Sequence, residues 1–169
     1  MKKEMVAVVD KNDNVLGTKP RDKLAKTDLV RISVLWIENS RGEVLLQQRS
    51  LNKSVAPGVW GPTAGTVQAH QTYLTNIIDE AAEEIGLTGI TPIEVGKRVY
   101  WEPNGPFGRI FMFFRVVVDQ PVEEFTIQEE EVERLKWWDK QALIEAVSEH
   151  PELYVPSAVF WKEMYYLSA

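Results

Sequence analysis

The sequence predicts one domain of the α+β class, in which a mixed β-sheet is covered by helices. Three observations favour this class. The 169 residues, 44% of them apolar, suffice for one sizeable core but are too few for two ordinary domains. Strand-like segments come in neighbouring pairs and do not alternate regularly with helical ones. Only three segments have helical periodicity, so a doubly wound parallel sheet is not expected.

The first half of the chain predicts two hairpins. Residues 5–10 are apolar and β-branched, and a turn cluster at 11–14 separates them from Val15-Leu16-Gly17, which predicts an N-terminal hairpin over about 5–17. A strand at 29–37, a turn at 39–42 and a returning strand at 43–49 predict the second hairpin. Residues 51–65 contain Pro57-Gly58 and Pro62, and we expect them to be loop.

The second half predicts a helix at 72–85, strands at 95–101 and 109–118 joined by a turn at 103–106, and a last strand at 132–138. Two further helices are expected at 142–149 and 157–167, separated by Pro151 and Pro156. Val159, Phe160, Met164 and Tyr165 form an apolar stripe on the last helix. We expect this stripe to pack on the sheet, with a homodimer contact as the alternative.

Composition excludes several classes of function. Asp and Glu number 25 against 19 Lys and Arg, and this mildly acidic balance does not suit duplex nucleic acid. The chain has no cysteine and two histidines, so thiolate and histidine-rich metal sites are excluded and any metal would need oxygen ligands. No apolar run is long enough for a signal peptide or a membrane span. We expect a cytoplasmic protein with no membrane partner.

The helix predicted at 72–85 carries a cluster of carboxylates. Glu80 is three residues before Glu83 and four before Glu84, so the three side chains share one face of the helix. A solvated acidic surface is one explanation of this pattern. A site for a hard divalent cation is the other, and it is favoured by the flanking Gly65 and Gly86 and by the Gly- and Pro-rich loop at 57–65, whose backbone can approach an ion or a phosphate.

The segment from 65 to 87 resembles the Nudix box, G-x5-E-x7-R-E-U-x-E-E-x-G-U, in which U is a bulky apolar residue. The positions that carry the resemblance are Gly65, Gln71, Asp79-Glu80, Glu83-Glu84, Gly86 and Leu87, without an insertion. The Pro57-Gly58-x-Trp60 loop and the strand pair before the box extend the resemblance over most of the chain. It implies a single Nudix domain over 1–169, with an α/β/α sandwich around a mixed sheet.

The resemblance also implies a chemistry and a set of site residues. The activity would be Mg²⁺- or Mn²⁺-dependent hydrolysis of a diphosphate linkage in a small nucleoside diphosphate or other diphosphate compound. Glu80, Glu83 and Glu84 would hold the metal. Glu83, Glu84 and Glu131 would form the catalytic set, with Glu131 as a further ligand or general base and Glu130 as the close alternative. Arg49 and Lys53 would bind the phosphates, solvated surface bases being the alternative for this pair.

Two departures from the box support a second hypothesis. Gln71 stands where the box has its first Glu, and Asp79 stands where it has Arg. A glutamine cannot act as a base, and Asp79 adds negative charge to the cluster. The alternative function is therefore a Nudix-fold protein that binds a ligand without turning it over.

The resemblance is greatest to the branch that contains isopentenyl-diphosphate isomerase and hydrolase-like relatives. The segments that carry it are Val9-Asp10-x-x-Asp13-x-x-x-Gly17 and Gln47-Gln48-Arg49-Ser50-x-x-Lys53. The isomerase uses a cysteine as acid or base, and this chain has none. We therefore expect the hydrolase-like activity and no isomerase activity.

Overall fold

The computed structural model describes residues 4–167, which form nine strands and three α-helices. The strands are β1 (Met5–Val9), β2 (Val15–Pro20), β3 (Leu29–Glu38), β4 (Glu43–Arg49), β5 (Trp60–Gly61), β6 (Thr63–Thr66), β7 (Ile93–Tyr100), β8 (Gly108–Val117) and β9 (Val132–Asp139). The helices are α1 (Tyr73–Ile85), α2 (Lys140–Glu149) and α3 (Trp161–Leu167). No helix among the described residues is long and apolar enough to cross a membrane.

Strand β3 is the centre of a mixed sheet, as the sequence predicts. It pairs in parallel with β8 along its whole length, from Leu29 opposite Gly108 to Glu38 opposite Val117. It pairs antiparallel with β1, β4 and β6, and β4 in turn pairs antiparallel with β5 and β9. This arrangement brings the C-terminal end of β4, the strand β6 and the start of β9 to one region of the sheet.

Helices cover both faces of the sheet and give the predicted α/β/α sandwich. On one face, Ile77, Ala81 and Ile85 of α1 pack with Leu35 and Phe114 of the sheet. On the other face, the side chains of α2, of α3 and of the segment between them pack on alternate residues of the same strands, among them Trp36 and Phe113. The indoles of Trp36 and Trp161 lie 6.0 Å apart in this second core. Met164 is buried there and Phe160 packs against the same core, as predicted for the C-terminal stripe. The prediction is wrong for Val159, which is 60% exposed, and the side chain of Tyr165 lies outside the described residues.

Helix α1 is fixed at both ends by local interactions. The Thr72 hydroxyl accepts a hydrogen bond from Thr75 N, and the Thr75 hydroxyl accepts one from Thr72 N. Gly86 ends the helix in the left-handed conformation, at φ 68°. Helical spacing places Leu74 with the apolar residues Ile77, Ala81 and Ile85, but Leu74 is 41% exposed. The buried side of the helix instead includes Asn76 and Glu84, so the solvated-surface explanation of the acids is wrong for Glu84.

Two other predictions of local structure are wrong. The segment 51–65 is not all loop, because Trp60–Gly61 pairs with β4 and Thr63–Thr66 pairs with β3. Strand pairing in the folded chain thus outweighs the turn-forming Gly and Pro residues. The segment 157–167 is not one α-helix. Pro156–Phe160 forms a 3₁₀ helix, in which Ala158 N bonds Val155 O three residues back, and α3 begins only at Trp161.

Candidate active site

A cleft of about 390 Å³ brings together every site residue that the sequence predicts. It lies between α1, the end of β4 and the start of β9. Three box glutamates lie along one side, and two bases and a further glutamate lie across from them. The predicted residues that line it are Arg49, Lys53, Glu80, Glu83, Glu84 and Glu131. Glu130 is exposed and does not line the cleft, whereas its neighbour Glu131 does.

Glu84 is the most deeply buried carboxyl group of the cleft, with 7% of the residue exposed. Its Oε2 accepts a hydrogen bond of 2.8 Å from Gln47 Nε2 on β4. Burial raises the pKa of Glu84 to about 8, and the nearby Glu80 and Glu131 raise it further, against the opposing effect of the Gln47 bond. In the absence of a cation, Glu84 therefore holds a proton near neutral pH.

Glu80 lies against the backbone of Gly65 on β6. A Cβ atom at Gly65 would come within 1.9 Å of Glu80 Oε1 and 2.5 Å of its Cγ, so only glycine leaves room for this carboxylate. Asn76 Nδ2, one helical turn earlier, lies 3.3 Å from Glu80 Oε1. Burial raises the pKa of Glu80 to about 7, and Glu83 and Glu131 add to the effect.

Two predicted site residues bond each other within the cleft. Lys53 Nζ lies 2.6 Å from Glu131 Oε1, and both side chains are about one third exposed. The backbone of the same segment is held by a bond from Ser50 N to Glu131 O. A phosphate that binds Lys53 would compete with Glu131 for the ammonium group, and a cation that binds Glu131 would compete with Lys53.

Arg49 is the cation with the most unsatisfied hydrogen-bonding capacity in the cleft. Its Nε is buried and has no hydrogen-bond partner among the described residues. Its Nη2 reaches only Val55 O, at 3.4 Å. An arginine needs acceptors for its fixed fork of N–H donors, and a phosphate supplies them in the matching geometry.

The carboxylates of the cleft do not form a ready-made metal cage. Within residues 4–167, no three His, Cys, Asp or Glu side chains converge closely enough to hold an ion. Two of the carboxylates have amide partners instead: Gln47 bonds Glu84, and Asn76 bonds Glu80. Glu83 is exposed at the rim of the cleft. The donor set is nevertheless all oxygen, which suits Mg²⁺ or Mn²⁺.

A larger cavity of about 950 Å³ adjoins the cleft, and Arg21 and Arg49 line both spaces. The cavity is mainly apolar, with walls from the 55–59 loop, α2 and the segment 151–159. Arg109 also lines it, held by a 3.2 Å ion pair with Glu102. Arg21 and Arg109 were not predicted as site residues, because only the fold brings the 3₁₀ turn after β2 and the start of β8 to this region.

Gln47 and Asn76 are two further side chains at the candidate site that the sequence prediction missed. Each is buried and hydrogen-bonded to a box glutamate. A signal for both exists in the sequence. Gln47 is a polar residue two positions after Leu45, on the face of β4 that packs in the core beneath α1. Asn76 precedes Glu80 by four residues, on the same face of the helix.

Comparisons with known proteins agree with the geometry. A family model described as the NUDIX domain matches residues 28–156. An uncharacterized Nudix hydrolase of Pseudomonas aeruginosa, PA4841, is 31% identical over 159 residues, covering 92% of this chain and 89% of the relative. An isopentenyl-diphosphate Delta-isomerase of Corynebacterium glutamicum is 28% identical over 170 residues, covering 90% and 86%.

Similarity of structure extends over almost the whole chain. The crystal structure of DR0079 from Deinococcus radiodurans superposes with a TM-score of 0.77 at 19% identity, covering 95% of this chain and 98% of the other. At that identity the superposition establishes the shared fold alone. The family assignment comes from the NUDIX domain match over most of the chain together with the relative from Pseudomonas. This chain belongs to the Nudix hydrolase family.

Proposed function

We propose that the protein is a Mg²⁺- or Mn²⁺-dependent hydrolase that cleaves the diphosphate linkage of a small compound. The single observation that carries the proposal is the cleft itself, a space of about 390 Å³ whose lining combines three box glutamates with Arg49 and Lys53. Acidic and basic side chains on opposite walls suit a substrate that is bound partly through a cation and partly through direct ion pairs.

The residues of the cleft fit a divalent cation. Glu84 is buried and Glu80 half-buried, and neither is bonded to a cationic side chain among residues 4–167. The absent side chain of Gly65 leaves the room that the Glu80 carboxylate occupies. Glu83 lies one helical turn away at the rim. We assign these three as the metal ligands. A bound cation would lower the pKa of a water molecule and neutralise charge on the diphosphate oxygens.

The remaining residues act on the substrate and on protons. Arg49 directs an N–H group without a protein partner towards the phosphates, and Lys53 adds a second positive charge once it leaves Glu131. The Glu131 carboxylate released in this exchange then lies free in the cleft, where it is our candidate for general base or further ligand. Substrate binding thus frees the group that takes the proton from water.

The adjoining cavity accommodates the organic part of the substrate. Its volume of about 950 Å³ is at the upper end of the range for small-molecule sites. Because Arg49 borders both spaces, one molecule can place its diphosphate in the cleft and its organic group in the cavity.

A screen of diphosphate compounds tests the proposal. Product release is measured with Mg²⁺, with Mn²⁺ and with EDTA, for the wild type, for Glu83→Gln and for the control Glu149→Gln on the exposed surface of α2. We expect turnover that requires the cation, is lost in Glu83→Gln and is retained in the control. Turnover by Glu83→Gln at the wild-type rate would contradict the proposal.

The binding-protein hypothesis is favoured by Gln71 and Asp79, which replace two charged residues of the box. The same screen separates the two functions. A chain that turns over nothing, but gains activity when Gln71→Glu and Asp79→Arg are introduced together, is a binding protein. A native chain that is active excludes this hypothesis. Isomerisation is tested separately by proton exchange into isopentenyl diphosphate, and we expect none because the chain lacks cysteine.

A further inference from the structure

The two residues that depart from the Nudix box are in contact with each other. Gln71 Nε2 donates a hydrogen bond of 3.0 Å to Asp79 Oδ2. Gln71 precedes α1 and Asp79 lies in its second turn, so this bond links the box loop to the helix. The residue before the helix is the donor and the residue on the helix is the acceptor.

The other end of the Gln71 amide points inward. Its Oε1 accepts hydrogen bonds of 3.1 Å from Gln68 N and of 3.1 Å from Asn76 Nδ2. Asn76 is 2% exposed, and its Nδ2 also lies 3.3 Å from Glu80 Oε1. A continuous series of bonds therefore runs from exposed Asp79 through Gln71 and Asn76 to the carboxylate of Glu80.

This series requires an amide at position 71. The oxygen must face the Asn76 and Gln68 donors, and the NH₂ group must face the Asp79 carboxylate. A glutamate at 71 could still accept from Asn76, but its second oxygen would face Asp79 at about the same distance, where two like charges repel. An arginine at 79 would have no acceptor, because it would meet the donor end of Gln71.

We propose that Gln71 and Asp79 are a matched pair of positioning residues, which fix the Asn76 amide and thereby hold the Glu80 carboxylate in the cleft. The inference rests on the proposed function, since it takes Glu80 as a metal ligand. In the box motif a Glu and an Arg occupy these positions. Here the carboxylate is on the helix and the donor on the loop, and the two are hydrogen-bonded.

A double-mutant cycle tests the pairing. The variants are Gln71→Glu, Asp79→Arg and the double variant, which restores a donor and an acceptor to the pair. Each single change disrupts a bond of ordinary strength, and we expect Mn²⁺ affinity to fall about three- to tenfold in each. The double variant should lie within about twofold of the wild type. Gln141→Glu is the matched control, because Gln141 Nε2 makes a similar 2.7 Å bond to Glu145 on exposed α2.

Two readouts separate this inference from the proposed function. In metal-free protein, the NMR resonances of the Asn76 side-chain amide should shift in both single variants and return towards the wild-type position in the double variant. In active protein, the single variants should change kcat more than KM, because the bases that bind substrate are untouched. If the wild type shows no turnover, the metal-free NMR cycle still decides the pairing.

Two results would overturn the pairing. One is a double variant whose loss of Mn²⁺ affinity is the product of the two single losses. The other is a set of Asn76 amide resonances that do not move in either single variant. Thermal unfolding of each variant, measured beside Gln141→Glu, shows whether the protein is folded under the conditions of both experiments.

Discussion

Gly65→Ala is the substitution whose effect on the site follows most directly from the structure. The added Cβ would lie 1.9 Å from Glu80 Oε1, whereas ordinary contacts begin at 3.4 Å, so the oxygen must move by about 1.5 Å. Metal–oxygen distances tolerate only about 0.2 Å. The clash falls on the flexible end of the Glu80 side chain and not on backbone. We therefore expect Mn²⁺ affinity and kcat/KM to fall at least about tenfold, with a stability loss limited to about 1–3 kcal/mol.

Calorimetric titration with Mn²⁺ and thermal unfolding in EDTA measure the two effects separately. Gly17→Ala is the matched control, because a Cβ at Gly17 meets nothing within 4 Å. The control should leave Mn²⁺ affinity unchanged. If Gly65→Ala binds Mn²⁺ and turns over substrate as the wild type does, the position of Glu80 against β6 is not required for metal binding, and the reasoning fails.

Three further predictions concern charge. In metal-free protein the pKa of Glu80 is raised to about 7 and that of Glu84 to about 8, from 4.5, so the folded state retains protons that the unfolded state releases. The contribution of the two groups to stability is then fully present below about pH 4.5 and falls by on the order of 3–4 kcal/mol for each group by pH 8. Urea unfolding in EDTA measures this fall, and a flat profile would contradict the burial of both groups. Arg49→Met should raise KM for the diphosphate tenfold or more in steady-state kinetics, and an unchanged KM would show that Arg49 does not bind phosphate. Asp13→Asn should cost about 1–3 kcal/mol at pH 7, because Asp13 pairs with Arg31 at 2.7 Å and with Lys97. Burial raises the pKa of Asp13, but the two cations lower it by more, so the pKa lies below its usual value. The contribution of Asp13 to stability is therefore lost as the pH falls. Thermal unfolding at pH 7 and pH 3 should show that Asp13→Asn costs less stability at the lower pH.

Local pattern was sufficient to predict the main elements of the fold. The strands at 29–38 and 43–49 and the helix at 73–85 lie within a residue or two of their expected bounds, because apolar periodicity, the Asn39–Gly42 turn and the stop at Gly86 all act locally. Strands β5 and β6 were missed because they form only by pairing with β4 and β3, which the sequence of the loop does not indicate.

The candidate site was likewise predictable only in part. The acids of α1 were predictable from their spacing along the helix, and they do share the cleft. The inward direction of Glu84 was not predictable, because it depends on Gln47 of β4 opposite the helix. The position of Glu80 was not predictable either, because it depends on the missing side chain of Gly65. The bond between Gln71 and Asp79 joins residues eight positions apart, and neither side chain alone indicates a partner.

The central claim is that a cation-dependent attack of water on phosphorus takes place in the cleft of Glu80, Glu84 and Arg49. The most direct measurement is ³¹P NMR of a diphosphate panel incubated with the protein and Mg²⁺ in H₂¹⁸O. The account predicts that one phosphate product carries ¹⁸O bound to phosphorus, and that EDTA abolishes its formation. A panel without any product, or ¹⁸O found only in the organic product, would contradict it.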